Sequence, residues 1–287
     1  MTRAYGVRIG PAPLGFASLD LALAALSGAR VLDVRDEAAF ARGHVEGAGR
    51  FTLSEFEMCR AELPPRDVPV LVVHDAPARA CEAAEALAGL GYARVGWLER
   101  GLDAEPQGHA SRAHAARLWS PSEVIERHVS RARTGRALDL ACGSGRAAVF
   151  LALSGFRVEG WDVDASALER ARALAARHGV SVRFETRDLE DGAVPGCDGT
   201  YDLIVVVRFL HRPLFPWIER ALAPGGVLLY ETFRDGQQAF GPPRREKHLL
   251  RAGELLSAFP ALEVEHHEET PPGAPPLLAR LAARKPG

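Results

Sequence analysis

An acid inside an apolar strand, just ahead of a glycine turn, is the first group in this chain that could do chemistry. The segment is Ala137-Leu138-Asp139-Leu140-Ala141-Cys142-Gly143-Ser144-Gly145-Arg146, and the run Ala147 to Leu153 behind it starts a helix. Two glycines allow the backbone to approach a ligand closely. Read as Gly143-x-Gly145-x-x-Ala148, the turn also fits a loose dinucleotide fingerprint. Charge separates the readings. A pyrophosphate wants backbone N–H groups and no nearby anion, whereas the carboxylate of Asp139 suits a cationic ligand.

Two further acids follow at strand ends. Phe156 to Trp161 has strand character and ends in Asp162-Val163-Asp164, before a helical run from Ala165 to His178. Ser181 to Glu185 forms a third strand that leads to Asp188. In a doubly wound sheet these strand ends share one rim, where ligands bind. S-adenosylmethionine offers a donor for each acid: its ammonium for Asp139, its ribose hydroxyls for Asp162 and its adenine amine for Asp188. Val163 would then pack on the adenine. The competing reading makes Asp162 and Asp188 helix caps or turn residues.

The elements that position these acids continue along the chain. Tyr201 to Val207 is a fourth strand and runs into Arg208-Phe209-Leu210-His211-Arg212-Pro213-Leu214-Phe215. Leu222 to Phe233 supplies a proline–glycine turn and a fifth strand. Leu262 to Glu268 and Leu277 to Arg284 read as two last strands around a proline-rich turn. His266 and His267 fall on opposite faces of such a strand, which makes them a poor metal pair.

Over residues 117–287 the chain resembles the class I S-adenosylmethionine-dependent methyltransferases. The segments RFLHRPLF, LAPGGVLLYETF and FGPPRREKHLLRAGELLSAF are similar to the branch of tellurite-resistance and thiol methyltransferase-like proteins. The resemblance implies a seven-stranded Rossmann-like methyltransferase domain with S-adenosyl-L-methionine as cofactor. The expected cofactor residues are Trp119, Asp139, Ala141, Gly143, Gly145, Arg146, Asp162, Val163, Asp188, Leu189 and Val207. Trp119 closes the site on this reading, or else staples the entry of the helix that begins at Ser120-Pro121-Ser122. The expected catalytic residues are Arg208, His211, Arg212 and Tyr230, on the rim beyond the fourth and fifth strands with Phe233. A small soft nucleophile, a thiol or a chalcogen oxyanion, is the expected acceptor. A non-catalytic cofactor sensor or scaffold is the alternative.

The first hundred residues are a separate α/β unit. Ala29 to Arg35, Val68 to Val73 and Ala93 to Leu98 read as strands, with an alanine-rich helix from Cys81 to Leu90. VLDVRDEAAFARGHVEGA and VGWLERGLDA resemble the rhodanese-like fold, which implies a parallel-sheet domain over residues 1–104. Active members carry a nucleophilic cysteine directly after the second strand, in a Cys-x-x-Gly-x-Arg loop. This chain has His74-Asp75-Ala76-Pro77-Ala78-Arg79, and imidazole cannot carry the persulfide that a thiolate would. The domain is therefore expected to be catalytically dead. It would recognise a sulfur-containing or anionic ligand through Arg79 and a nest of loop N–H groups, or brace the methyltransferase. Cys81 reads as a small buried residue, and His44 as a turn residue bonded to its own loop.

Composition narrows the partners. Residues 1–110 carry 11 Arg against 15 acids, and the whole chain has a net charge of −2, so neither half has the field of a nucleic-acid binder. A hydrophobic share of 47% with 25% charge excludes disorder. The four cysteines form no CxxC pair, so no metal is expected. No leader or membrane-length apolar run is read, which points to a cytoplasmic protein with a small-molecule substrate and no membrane contact. A protein partner or a homodimer would be met through the rhodanese-like domain. Residues 105–116 read as the linker between the domains.

Overall fold

The computed structural model describes residues 11–56, 58–105, 110–192 and 196–287. The chain divides into two units, Met1–Trp119 and Ser120–Gly287.

The first unit runs β1 (Leu14–Phe16), α1 (Leu19–Ala25), β2 (Arg30–Asp33), α2 (Glu37–Arg42), β3 (His44–Val45), β4 (Gly49–Arg50), β5 (Val70–Val73), α3 (Pro77–Gly89), β6 (Val95–Leu98) and β7 (Ala110–Ser111). Five strands form a parallel sheet in the order β1-β6-β5-β2-β4. Every residue of β5 is buried, as a central parallel strand between two helical layers requires. Ser18 and Asp36 cap α1 and α2 by accepting from Leu21 and Ala39 N–H groups. The linker expected over 105–116 is corrected in part. Residues 106–109 lie outside the described residues, but β7 pairs with β3, and Ala116 N–H donates to the Ala48 carbonyl at 2.9 Å. Leu118 packs into the unit's core, so the stretch from 110 to Trp119 belongs to the first unit.

The second unit runs α4 (Glu123–His128), β8 (Arg136–Leu140), α5 (Arg146–Leu153), β9 (Arg157–Asp162), α6 (Ala165–Arg177), β10 (Val182–Thr186), β11 (Tyr201–Val207), α7 (Phe215–Ala221), β12 (Leu222–Phe233), α8 (Glu254–Ser257), β13 (Glu263–Glu269) and β14 (Leu278–Arg284). Its seven strands lie in the order β10-β9-β8-β11-β12-β14-β13, with β14 antiparallel to both of its neighbours. The winding reverses between β8 and β11, so the crevice outside their carboxyl ends is the place where such a sheet holds a ligand. The proline–glycine turn expected before the fifth strand is absorbed into β12 as an irregularity opposite Tyr201 and Leu203.

Strand alternation sorts the side chains of β8. Leu138 and Leu140 join Ile204, Val206, Leu228 and Tyr230 in a core that α7 covers with Phe215, Trp217 and Ile218. Asp139, between them, faces the opposite way, toward α5. Gly145 caps α5 at φ +78°, and a Cβ there would lie 2.7 Å from the Ala171 Cβ of α6. Both strain and close packing thus select glycine. Gly145→Ala is expected to destabilise the chain by about 1–3 kcal/mol, read as a lower thermal midpoint. An unchanged midpoint would show that the α5–α6 contact has slack.

Candidate functional site

The chain leaves β8 through alternating left-handed residues. Ala141, Gly143 and Gly145 have φ of 55°, 53° and 78°. Ala141 is not glycine, so it holds this conformation at a cost of about 1 kcal/mol or more. Two carboxylates pin the turn. Asp139 is 1% exposed, and its Oδ2 accepts from the Ala148 N–H at 2.9 Å, in the first turn of α5. Asp162, the last residue of β9, accepts from the Gly143 N–H at 2.7 Å through Oδ2 and from the Asp164 N–H at 2.9 Å through Oδ1. Burial pushes the Asp139 carboxyl up to about 8; the Ala148 bond opposes this and the nearby Asp162 charge adds to it.

Open space lies beside this turn. A Cβ on Gly143 would meet nothing within 4 Å, and Val163 stands 63% exposed next to Asp162. Asp188, after β10, is exposed and turns its Oδ1 onto the Glu190 N–H at 2.8 Å, while Leu189 is buried in the core. Val207 ends β11 half-buried, and Arg146 is exposed as the first residue of α5. Ala141, Gly143, Asp162, Val163, Asp188 and Val207 thus stand at or just after strand ends, whereas Asp139 and Leu189 are buried and Gly145 packs on α6. Trp119 is the last residue of the first unit, is 1% exposed, and carries the Arg117 guanidinium 4.9 Å above its ring.

The four expected catalytic residues separate into two pairs. Arg208 follows β11 with φ 58°, donates its N–H to the Glu231 carbonyl at 2.7 Å, and holds its guanidinium 5.8 Å from the Phe233 ring centroid. It is exposed and has no ion pair among the described residues. His211 is half-buried ahead of the short turn Arg212–Leu214, and its imidazole has no recorded partner among the described residues. Arg212 and Tyr230 are corrections. The Arg212 guanidinium forks onto Glu254, with Nη2 2.8 Å from Oε2, and also donates to the Lys247 and Leu249 carbonyls. It is spent on tying the chain after β11 to α8. Tyr230 is fully buried among Phe215 and Phe259, donates to the Phe209 carbonyl at 3.0 Å, and has its phenol pushed up by burial, so it cannot exchange protons with a substrate.

One contributor escaped the sequence reading. Glu231 is an acid inside the apolar β12, the same signal that exposed Asp139. It is 2% exposed, bonds Arg280 of β14 at 2.7 Å, and offers its carbonyl to the strained Arg208. Cys142 offers no nucleophile, because burial first, then Asp139 and Asp162, push its thiol up.

In the first unit, the loop after β5 is closed by His74, whose Nδ1 accepts from the Ala76 N–H at 2.8 Å. Cys81 lies in the second turn of α3, since that helix begins at Pro77; its thiol sits 3.8 Å from Glu85 and is pushed up by burial and by that acid. His44 is buried, stacks on Phe40 at 3.7 Å and bonds the Phe40 carbonyl, as a loop-bracing residue should. No group of three metal-ligating side chains occurs among the described residues, and no helix among them is long and apolar enough to cross a membrane.

Residues 137–226 match the family described as a methyltransferase domain. That match lies within the second unit. Residues 18–104 match the rhodanese-like domain family. The chain is 43% identical over 110 residues to a ribosomal protein L11 methyltransferase of Dechloromonas aromatica, covering 37% of this chain and 34% of that one. It is 33% identical to an uncharacterized methyltransferase of Synechocystis, over 38% and 52% of the two chains. It is 30% identical to a ubiquinone biosynthesis O-methyltransferase of Bordetella pertussis, over 45% and 61%. The chain thus spans about a third to three-fifths of the length of these relatives. A solved S-adenosylmethionine-dependent methyltransferase from Mesorhizobium loti aligns at 21% identity and a TM-score of 0.47, over 56% of this chain and 95% of that one.

The rim fits S-adenosylmethionine: open space at Gly143, an exposed apolar Val163, and acids at three strand ends. The raised Asp139 carboxyl has a consequence for stability. At pH well below 3.8 it is protonated folded or unfolded; as pH rises from there toward about 8, the unfolded chain ionises and the folded one does not, so folding loses free energy across that window. Asp139→Asn, which keeps an oxygen for Ala148, should match the wild type in unfolding free energy near pH ~2.5 and exceed it by about a few kcal/mol at pH ~9. Parallel free energies across that range would show that the carboxylate ionises freely in the fold.

Proposed function

We propose that the chain transfers a methyl group from S-adenosylmethionine to a small soft nucleophile, a thiol or a chalcogen oxyanion, with the rhodanese-like unit as a non-catalytic accessory. The observation that carries the acceptor reading is that Arg208 and His211, on the segment after β11, make no side-chain hydrogen bond or ion pair among the described residues. When bound, the cofactor supplies a methyl group on positively charged sulfur, open to in-line displacement. Asp139 and Asp162 would hold its cationic and ribose parts, with Val163 against the adenine. Arg208, fixed by its bond to Glu231, would hold an anionic acceptor. The imidazole of His211 would take the proton of a thiol, whose pKa of about 8.5 needs only modest assistance. Positioning of nucleophile and methyl then supplies much of the acceleration, on the order of 7–11 kcal/mol.

The similarity of RFLHRPLF and LAPGGVLLYETF to the tellurite-resistance and thiol methyltransferase-like branch supports this acceptor class. The curated relatives, by their names, act on a ribosomal protein and in ubiquinone biosynthesis, so the shared cofactor half does not select among acceptors. In the first unit, His74 stands where an active rhodanese domain would need a thiolate, and the Cys81 thiol is made less nucleophilic by Glu85.

Arg208→Ala and His211→Ala should each lower kcat/KM for small thiols by about tenfold or more, while cofactor affinity stays within a factor of about two. Methyl transfer assayed on thiols, tellurite and selenite checks this. Turnover confined to RNA, DNA or protein, or full thiol activity in both variants, overturns the assignment.

A further inference from the structure

The chain that leaves β12 turns back on itself. The Leu250 N–H donates to the Phe233 carbonyl at 3.0 Å and the Asp235 N–H to the Leu250 carbonyl at 2.8 Å, so residues 235–249 form a strap pinched shut at its base. The near limb is tied down by Gln237, which is buried, accepts from the Leu277 N–H at 2.8 Å and donates to the Pro242 carbonyl. The far limb is tied by Arg212, from the segment after β11. Its guanidinium donates to the Lys247 and Leu249 carbonyls at 3.1 and 2.9 Å while forked onto Glu254.

A further contact carries the strap beyond β11. Lys247 Nζ stands 3.9 Å from Glu190 Oε2, in the loop after β10. In the sheet, β9, β8 and β11 lie between β10 and β12. Strands spaced about 4.8 Å put the ends of β10 and β12 roughly 19 Å apart. Both loops follow carboxyl ends, so they meet across the exits of the three strands between them. The strap thus passes Arg212 and crosses the crevice at β8 and β11.

The two ties differ in kind. Arg212 and Glu254 form a bidentate, partly buried fork, the arrangement that binds a carboxylate most strongly. Lys247 and Glu190 are both exposed, and a single ammonium–carboxylate contact in water is weak, and weaker still in salt. One lasting anchor and one releasable end are what a lid requires. The releasable end also adjoins the expected adenine contact. Asp188 Oδ1 accepts from the Glu190 N–H at 2.8 Å, so Asp188 and Glu190 share one turn.

We propose that Lys247 and Glu190 are positioning residues that latch this strap over the bound cofactor and set the rate at which S-adenosylhomocysteine leaves. The occupant rests on the cofactor reading above; the latch rests on the strap's own contacts.

Charge reversal in the full-length chain tests it by two readouts. The His248 and Leu249 N–H groups close the short turn at Glu246–His248 beside Lys247. Their hydrogen exchange, measured without cofactor, should quicken about threefold in Lys247→Glu and in Glu190→Lys, and return to within about twofold of the wild type in the double reversal. Release of S-adenosylhomocysteine, followed by stopped-flow displacement, should show the same pattern. Added salt should quicken release in the wild type but not in Lys247→Gln. Unchanged exchange in the single reversals, or no restoration in the double, overturns the latch. Restored exchange with unaltered release overturns its control of the cofactor. Restored exchange with no binding of S-adenosylmethionine or S-adenosylhomocysteine to the wild type contradicts the cofactor reading and leaves the latch standing.

Discussion

Two carboxylate-to-amide bonds fix the functional half of this protein: Asp139 to Ala148 and Asp162 to Gly143. They force the chain leaving β8 through left-handed backbone at Ala141, Gly143 and Gly145 before α5 begins. Without them, the strained Ala141 would have no compensation and the turn no reason to keep its opening. The same bonds hold two acids beneath the crevice, and a cation bound there would draw the buried Asp139 carboxyl back toward its ionised form. A crevice so lined favours a cation and disfavours a pyrophosphate, so one local constraint sets both backbone path and ligand class.

The exit from β11, next to β8 in the sheet, repeats the device. Arg208 is the other non-glycine residue with positive φ among the described residues, and its N–H is held by Glu231, whose own carboxylate is anchored to Arg280. Strain at neighbouring strand ends is costly and persists where surrounding structure over-determines it. Here the result is an exposed guanidinium over Phe233 that no acid neutralises among the described residues. Arg212, only four residues on, is fully committed to Glu254. Partnership, rather than residue type, separates the candidate acceptor residues from the scaffold.

Much of this was legible in the sequence because local pattern decides it. The fourth strand, Tyr201–Val207, follows from the apolar run Leu203 to Val207, and the β8 turn from an acid and two glycines at fixed spacing. Roles set by distant partners were not legible. Arg212 finds Glu254 forty-two positions away, and the Tyr230 hydroxyl is satisfied by the Phe209 carbonyl only because β12 lies beside β11. The packing of residues 110–119 into the first unit rests on Ala48, Gly49 and the short β3, which no periodicity announces. Glu231 was readable in principle, since a lone acid in an apolar strand needs a buried partner wherever that partner lies.

The central claim is that buried acid at the glycine turn selects a cationic nucleoside over a dinucleotide. Isothermal calorimetry of the full-length chain with S-adenosylmethionine and, separately, with NAD measures this directly. The account predicts saturable binding of S-adenosylmethionine and none of NAD; tight NAD binding with no S-adenosylmethionine binding would contradict it.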